Sequence, residues 1–152
     1  MIHAGSPEGH DGSKIYFSDT LNLCVIDSDG SNPTKLFGLT TPTNKYFVVH
    51  VNSKLLFYGD RNLWSMNLDG SNVTPLTNYT NTNVSVYFNK FIDSKIFYTS
   101  NGALDGSDNK LTTNGLSNLW SMNLDGSDKK PVTKFDSVNY TVQNIVLPNE
   151  TD

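Results

Sequence analysis

The side chains that could move protons near neutral pH are few and widely separated in this sequence. The three histidines are His3, His10 and His50, and the first two lie in a polar N-terminal stretch. Histidine is the usual proton shuttle and zinc ligand, but a zinc site needs several ligands at short, regular spacing. No such spacing is present, so we expect no metal site built on histidine.

The remaining candidates for catalysis are equally sparse. Cys24 is the single cysteine, and it stands where two related segments carry tryptophan, so we expect an inert, buried thiol. The only glutamates, Glu8 and Glu150, lie near the two ends of the chain. The sequence has no glycine-rich phosphate loop and no Gly-x-Ser-x-Gly elbow. With acid, base and nucleophile all lacking, we expect neither an enzyme nor an organic cofactor.

One polar stretch, residues 101–110, raises the question of calcium. It contains Asp105 and Asp108, and calcium prefers carboxylate and carbonyl oxygens. The stretch lacks the alternating acidic positions and the terminal glutamate of a calcium-binding hand. A flexible loop is the commoner meaning of a cluster of Gly, Ser and Asn, and we favour it over a weak calcium site.

The charge of the sequence excludes one large class of partner. The formal net charge at pH 7 is −4, and Arg61 is the single arginine among 152 residues. Because clustered lysine and arginine are needed to bind phosphate backbones, we expect no nucleic-acid partner. The sequence has neither an apolar stretch long enough to span a membrane nor the basic and apolar runs of a signal peptide, so we expect no membrane insertion.

The elements that would position these residues recur along the chain. Residues 62–71 reappear letter for letter at 118–127, and a looser copy lies at 22–31. A Ser-Lys pair followed by large apolar residues precedes each copy, at Ser13, Ser53 and Ser94. A period near 40 residues, with aromatic and β-branched runs between turn signals, predicts an all-β fold of three four-stranded β-propeller blades. The third copy carries an insertion between its two motifs.

Each repeat contains an Asp-Gly pair between its third and fourth predicted strands. This pair favours a tight hairpin in which both turn positions take positive φ, so we interpret it as structural. The residues are Asp29, Gly30, Asp69, Gly70, Asp125 and Gly126.

The predicted strands are offset by one relative to the blades. We expect a polar tail at 1–12, a three-blade unit at 13–147 and a second tail at 148–152. We label the four strands of a blade A to D in chain order. Blade 1 comprises strands B to D at 13–37, blade 2 spans 45–77 and blade 3 spans 83–133. A strand A at 138–147 is left over and would complete a first blade. Its strand-forming residues are Val138, Tyr140, Val142, Ile145 and Leu147.

Three blades are too few for a ring, because propellers have about four to eight blades. Two copies would supply six, each lending its last strand to the other's first blade. We therefore predict a half-propeller that forms a homodimer around a two-fold axis. The alternative is that the chain is a fragment whose missing blades lie elsewhere in a longer protein.

The motifs resemble two propeller families. Tyr16-Phe17-Ser18-Asp19, followed by the segment 26–32, is similar to the YWTD blade of low-density-lipoprotein-receptor-type propellers. The segment 63–71, followed by Pro75-Leu76-Thr77, is similar to bacterial TolB-type repeats. This resemblance implies six blades, an extracellular or cell-envelope location, and a role in binding proteins or glycans.

Connections between strands B and C, and between D and the next A, emerge on one face of a propeller. Loops on rigid scaffolds commonly carry binding residues, with aromatic residues and arginine as anchors. We expect a non-catalytic module for protein or carbohydrate recognition. The alternatives are a piece of an extracytoplasmic propeller enzyme or sensor, and a self-assembling structural propeller without a ligand. The candidate binding residues are Asp60, Arg61, Tyr79, Asp105, Asp108 and Phe135.

Overall fold

The computed structural model describes residues 13–38, 48–102, 116–135 and 146. Within these ranges the chain forms eleven β-strands and no helix, hence no helix long and apolar enough to span a membrane. The strands are β1 Lys14–Ser18, β2 Asn22–Asp27, β3 Thr34–Gly38, β4 Val48–Val51, β5 Lys54–Gly59, β6 Asn62–Asn67, β7 Thr74–Pro75, β8 Val86–Ile92, β9 Lys95–Ser100, β10 Asn118–Asn123 and β11 Lys130–Pro131.

Several sequence-based predictions fall outside the described residues. They are the tails, the carboxylates Asp105 and Asp108, and the strand-forming residues Val138, Tyr140, Val142, Ile145 and Leu147. Val146 is the one described residue of the predicted trailing strand, and its side chain is 96% exposed.

The eleven strands form three antiparallel sheets in which neighbours in sequence are neighbours in space. The first sheet is β1-β2-β3, the second β4-β5-β6-β7 and the third β8-β9-β10-β11. The predicted all-β architecture of three antiparallel sheets is confirmed. The last strands, β7 and β11, are only two residues long and both end at proline, which has no N–H to donate to a ladder.

The turns that contain the Asp-Gly pairs follow β2, β6 and β10, and they differ from the predicted two-residue hairpin. In the second sheet, Gly70 N donates to Asn67 O (3.0 Å) and Asn67 N donates to Ser71 O (2.8 Å), which closes a three-residue loop. Only Gly70 of the Asp-Gly pair takes a positive φ, at 85°. This is a type I turn followed by a left-handed residue, and Gly30 and Gly126 repeat it. The expectation of positive φ at Asp29, Asp69 and Asp125 is therefore wrong.

The aspartates of these turns have a different structural role. Asp69 Oδ1 accepts hydrogen bonds from the Ser71 hydroxyl (2.6 Å) and the Ser71 backbone N–H (2.9 Å). These two bonds favour the ionised carboxylate and hold the pKa of Asp69 below its ordinary value. The same pair of bonds lowers the pKa of Asp29 and of Asp125.

A lysine opens β1, β5 and β9, and it lies opposite the last residue of the next strand. Lys14 Nζ lies 2.5 Å from Asp27 Oδ1, directly across the β1–β2 ladder. Lys54 donates to Asn67 (2.6 Å) and Lys95 to Asn123 (2.5 Å) at the equivalent positions. Since a one-residue slip would invert both faces of a strand, this repeated cross-strand pair helps to specify which side chains point into each core.

The chain divides into two compact units, Met1–Pro75 and Leu76–Asp152. In the first unit the first two sheets pack face to face. The first sheet contributes Tyr16, Leu23 and Val25, and the second contributes Leu55, Phe57 and Met66. Phe37, Phe57 and Trp64 extend this core as an aromatic cluster, with ring centroids 5.4 to 6.4 Å apart.

The second unit is built on the third sheet. Its most deeply buried side chains include Val86, Ile96, Tyr98 and Met122, each with no exposed surface. Trp120 stacks on Tyr98 with ring centroids 6.2 Å apart, much as Trp64 stacks on Phe57 in the first unit. The repeated sequence therefore reproduces the same ring pair in both units.

The three-residue turns yield a matched pair of substitutions. Gly30 and Gly70 share a φ of +85°, but a Cβ at Gly30 meets nothing within 4 Å, whereas one at Gly70 lies 3.3 Å from the Leu36 carbonyl oxygen. Gly30→Ala should cost about 1–2 kcal/mol, the left-handed strain alone. Gly70→Ala should cost about 1 kcal/mol more, because the turn must also move away from Leu36. Urea unfolding of the two variants checks this, and equal losses would contradict the packing contact.

Candidate functional site

The described binding candidates lie on connections between strands, as predicted, but in separate units. Asp60 and Arg61 form the turn between β5 and β6 in the first unit. Tyr79 follows β7 and Phe135 follows β11, both in the second unit. That all of them form one binding face remains a prediction.

The Asp60-Arg61 turn adopts a backbone conformation that its sequence does not favour. Gly59 pairs with Asn62, so the turn has two central residues, and their φ values are 46° and 67°. Asn-Gly is the usual choice for such a turn, because a left-handed non-glycine residue costs about 1–2 kcal/mol. Arg61 is exposed at the tip. The Asp93-Ser94 turn between β8 and β9 has the same conformation, with φ values of 49° and 60°, so this strain is not peculiar to Arg61.

Tyr79 packs against the base of the insertion in the second unit. A Cβ on Gly102 would lie 2.7 Å from Tyr79 Cε1 and 3.0 Å from its hydroxyl oxygen, so only glycine leaves room for the ring. Gly102 N donates to Ser100 Oγ (3.0 Å), which fixes the start of the insertion. Tyr79 is half-buried, so its ring supports this loop as well as presenting a surface.

Phe135 is positioned by a buried amide that the sequence analysis did not identify. Asn118 has no exposed surface, and its Oδ1 accepts hydrogen bonds from Phe135 N (2.7 Å) and Thr133 Oγ1 (2.9 Å). Its Nδ2 donates to Phe135 O (3.1 Å). Asn118 therefore holds the chain leaving β11 against the start of β10. Repetition is the sequence signal for this pair, because Asn62 and Thr77 of the second repeat recur as Asn118 and Thr133 in the third.

A second asparagine closes the same end of the third sheet. Asn101 Oδ1 accepts from Ser85 N (2.7 Å), and Asn101 Nδ2 donates to Asn83 O (3.1 Å). The residue at which the insertion begins is thereby tied to the segment entering β8. In a sequence so rich in asparagine, neither residue type nor spacing distinguishes Asn101 from exposed neighbours.

The described residues offer little reactive chemistry. No three His, Cys, Asp or Glu side chains among them come together as a metal site. Cys24 is half-buried rather than fully buried as expected, and desolvation raises the pKa of its thiol, which disfavours the nucleophilic thiolate. Hydrogen bonds from Asn22 and from the Leu21 backbone lower the pKa of Asp19, so this carboxylate is poorly suited to act as a general acid.

Comparison with solved structures identifies the fold as that of a β-propeller. The chain superposes on a protein of the nidogen/laminin complex with a TM-score of 0.53 at 11% identity, covering 81% of this chain and 44% of that one. A TolB-type protein from Agrobacterium tumefaciens gives 0.54 at 17% identity, covering 87% and 48%. An oligogalacturonate lyase in complex with manganese gives 0.51 at 16% identity, covering 74% and 30%.

These similarities confirm the predicted resemblance to YWTD-type and TolB-type propellers at the level of the fold. No protein-family model matches the sequence, and no curated protein gives a significant match. The chain spans less than half the length of each of these three structures. The fold thus defines the class as a β-propeller, and this chain corresponds to part of the length of each structural neighbour.

The turn at Arg61 gives a prediction about stability. Arg61→Gly should raise the free energy of unfolding by about 1 kcal/mol, because glycine adopts a φ of 67° without strain. Arg61→Ala serves as the control, since alanine removes the charged side chain but keeps the strain. Urea unfolding should place Arg61→Ala near the native protein. A stabilised alanine variant would mean that the charge, and not the backbone, destabilises this turn.

The buried amide gives a second prediction. Asn118→Ala should destabilise the protein by about 3 kcal/mol, because Phe135 N and the Thr133 hydroxyl lose their acceptor in a buried place. Asn123→Ala, at the half-buried end of the same strand, is the matched control and should cost about 1 kcal/mol. Thermal unfolding measures both, and similar losses would contradict a special role for Asn118.

Proposed function

We propose that this chain is a non-catalytic interaction module: half of a six-bladed propeller that forms a ring with a second copy and presents its connecting loops to a protein or carbohydrate partner. One observation carries the proposal. The second and third sheets each begin with a strand, β4 or β8, that pairs with the next, whereas the described first sheet begins at β1. Among the described strands, none pairs with β1 in the way that β4 pairs with β5 and β8 with β9.

The spacing of the chain points to the segment that would fill this edge. β4 begins ten residues after β3 ends, and β8 begins eleven residues after β7 ends. The same interval after β11 leads to residues 141–142, inside the segment 138–147. An added strand gains main-chain hydrogen bonds along an edge that would otherwise promote aggregation. In our proposal this segment pairs with β1 of the second copy.

Chemistry favours recognition over catalysis. The described carboxylates with shifted pKa values, such as Asp19 and Asp128, are all shifted downward, whereas a general acid at neutral pH needs an upward shift. Arg61, held in a strained turn, and the half-buried rings of Tyr79 and Phe135 are suited to contact a partner. An extracellular or envelope location agrees with this role and remains a prediction, as does weak calcium binding in the insertion.

A specific observation keeps one alternative open. The chain covers only 30% to 48% of the propeller proteins compared above, and one of them is a lyase. The missing blades could belong to a longer extracytoplasmic enzyme or sensor instead of a second copy. A self-assembling structural ring without a ligand would form the same dimer but bind nothing.

Light scattering coupled to size exclusion tests the assembly. The full chain should elute with twice the 16.8 kDa mass of one copy. A folded monomer, recognised by a β-type circular dichroism spectrum and cooperative unfolding, would overturn the half-ring proposal. For the binding role, a glycan array and a pull-down with the native protein should give ligands that Arg61→Gly no longer retains. Ligands that this stabilised variant still binds would exclude Arg61 as an anchor.

A further inference from the structure

The first sheet has a second apolar face, opposite to the one in the core. Ile15 pairs with Ile26 and Phe17 with Cys24 across the β1–β2 ladder, so these four side chains share one face. Tyr16, between them in sequence, points the other way into the core. Ile15 is 43% exposed, and the other three side chains are only partly buried. We call these four positions the outer face of the first sheet; Lys35, opposite Cys24 on β3, borders them on one side.

The repeat shows what kind of surface this is. Forty residues further on, the equivalents of Ile15, Phe17, Cys24 and Ile26 are Leu55, Phe57, Trp64 and Met66. In the first unit those four residues lie in or against the core that the second sheet forms with the first. The outer face of the first sheet is therefore equivalent to the face of the second sheet that the first sheet covers.

The core between the first and second sheets shows which side chains cover a face of this kind. The first sheet covers Leu55 and Phe57 with Tyr16, Leu23 and Val25, a flat surface of large apolar side chains. In the third sheet the positions equivalent to Tyr16, Leu23 and Val25 are Phe97, Leu119 and Ser121, of which Phe97 is half-buried and the other two are buried. A further copy of this chain thus carries an aromatic residue at the matching position.

We propose that the outer face of the first sheet docks the third sheet of a second copy of this chain. This inference rests on the proposed half-ring and adds to it the side chains that hold the two halves together. Strand exchange along the edge of β1 supplies hydrogen bonds, whereas this contact supplies the burial of apolar area that makes association favourable. Because each copy has one outer face and one third sheet, two such contacts close a two-fold dimer.

Substitution of an outer-face residue tests the contact. Ile15→Lys places a charge at the centre of the proposed interface, where no partner charge is available, and should raise the dissociation constant at least about tenfold. The control is Leu21→Lys, at an apolar residue of similar exposure, 40%, in the turn between β1 and β2 and outside both the outer face and the third sheet. Light scattering over a dilution series should show earlier dissociation for Ile15→Lys alone. Unfolding midpoints of both variants confirm that they are folded.

The outcomes separate this inference from the half-ring itself. If the native protein is a dimer and Ile15→Lys dissociates no more readily than Leu21→Lys, the outer face is not the interface, and the dimer is held by strand exchange without a closed ring. If the native protein is a folded monomer, both proposals fail.

Cys24 provides a second measurement that needs no substitution. It is the only cysteine and lies on the outer face, so its reaction with a thiol reagent reports directly on coverage of this surface. Labelling should slow at least about tenfold between a concentration at which the native protein is monomeric and one at which it is dimeric. Ile15→Lys should label rapidly at both concentrations. A rate independent of dimerisation would place the interface elsewhere.

Discussion

Alternation of side chains along a strand gives every sheet of this chain two faces, and each face carries large apolar side chains. Such a sheet is stable in water only when each face is covered, so the sheets must stack rather than stand alone. In β5, Leu55, Leu56 and Phe57 are consecutive and all buried, which requires cover on both sides. In β1, by contrast, Ile15 is exposed and Tyr16 is buried. The difference reflects position in a stack, since the two strands have similar sequences.

The sequence was most informative where a local pattern and a long-range pairing agree. The identical decapeptides at 62–71 and 118–127 form strands with the same bounds and the same turns, because each opens with a strand pattern and closes with Asp-Gly-Ser. The Asp-Gly pair alone does not distinguish a two-residue hairpin from the three-residue loop that forms. Ser71 decides between the two: its N–H and hydroxyl both bond to Asp69, which favours the longer loop.

The candidate site was only partly predictable, for a related reason. Arg61, Tyr79 and Phe135 stand out by residue type, and they do lie on connections between strands. The residues that position them do not stand out. Asn118 and Asn101 bond to backbone groups far along the chain, and in a sequence with so many asparagines only the fold distinguishes these two. The strain at Arg61 was equally hidden, because φ cannot be read from residue type.

A comparison of two tryptophans shows how a loop can alter the energetics of a repeat. Trp64 donates its indole N–H to Gly59 O (2.8 Å), at the tight turn leading to β6. Trp120 occupies the same place in an identical segment and is only 2% exposed, yet its Nε1 has no hydrogen-bond partner among the described residues. The ladder places Ser100 where Gly59 would be, and there the chain departs into the insertion.

Leaving a buried N–H unpaired costs about 1–3 kcal/mol, which a tight turn like that of the second sheet would avoid. The third sheet instead has the longer loop, with Asn101 and Tyr79 arranged to hold its base. The repeat thus loses the indole hydrogen bond at the point where the longer loop begins, and the two side chains at the base of that loop tie it to the third sheet instead.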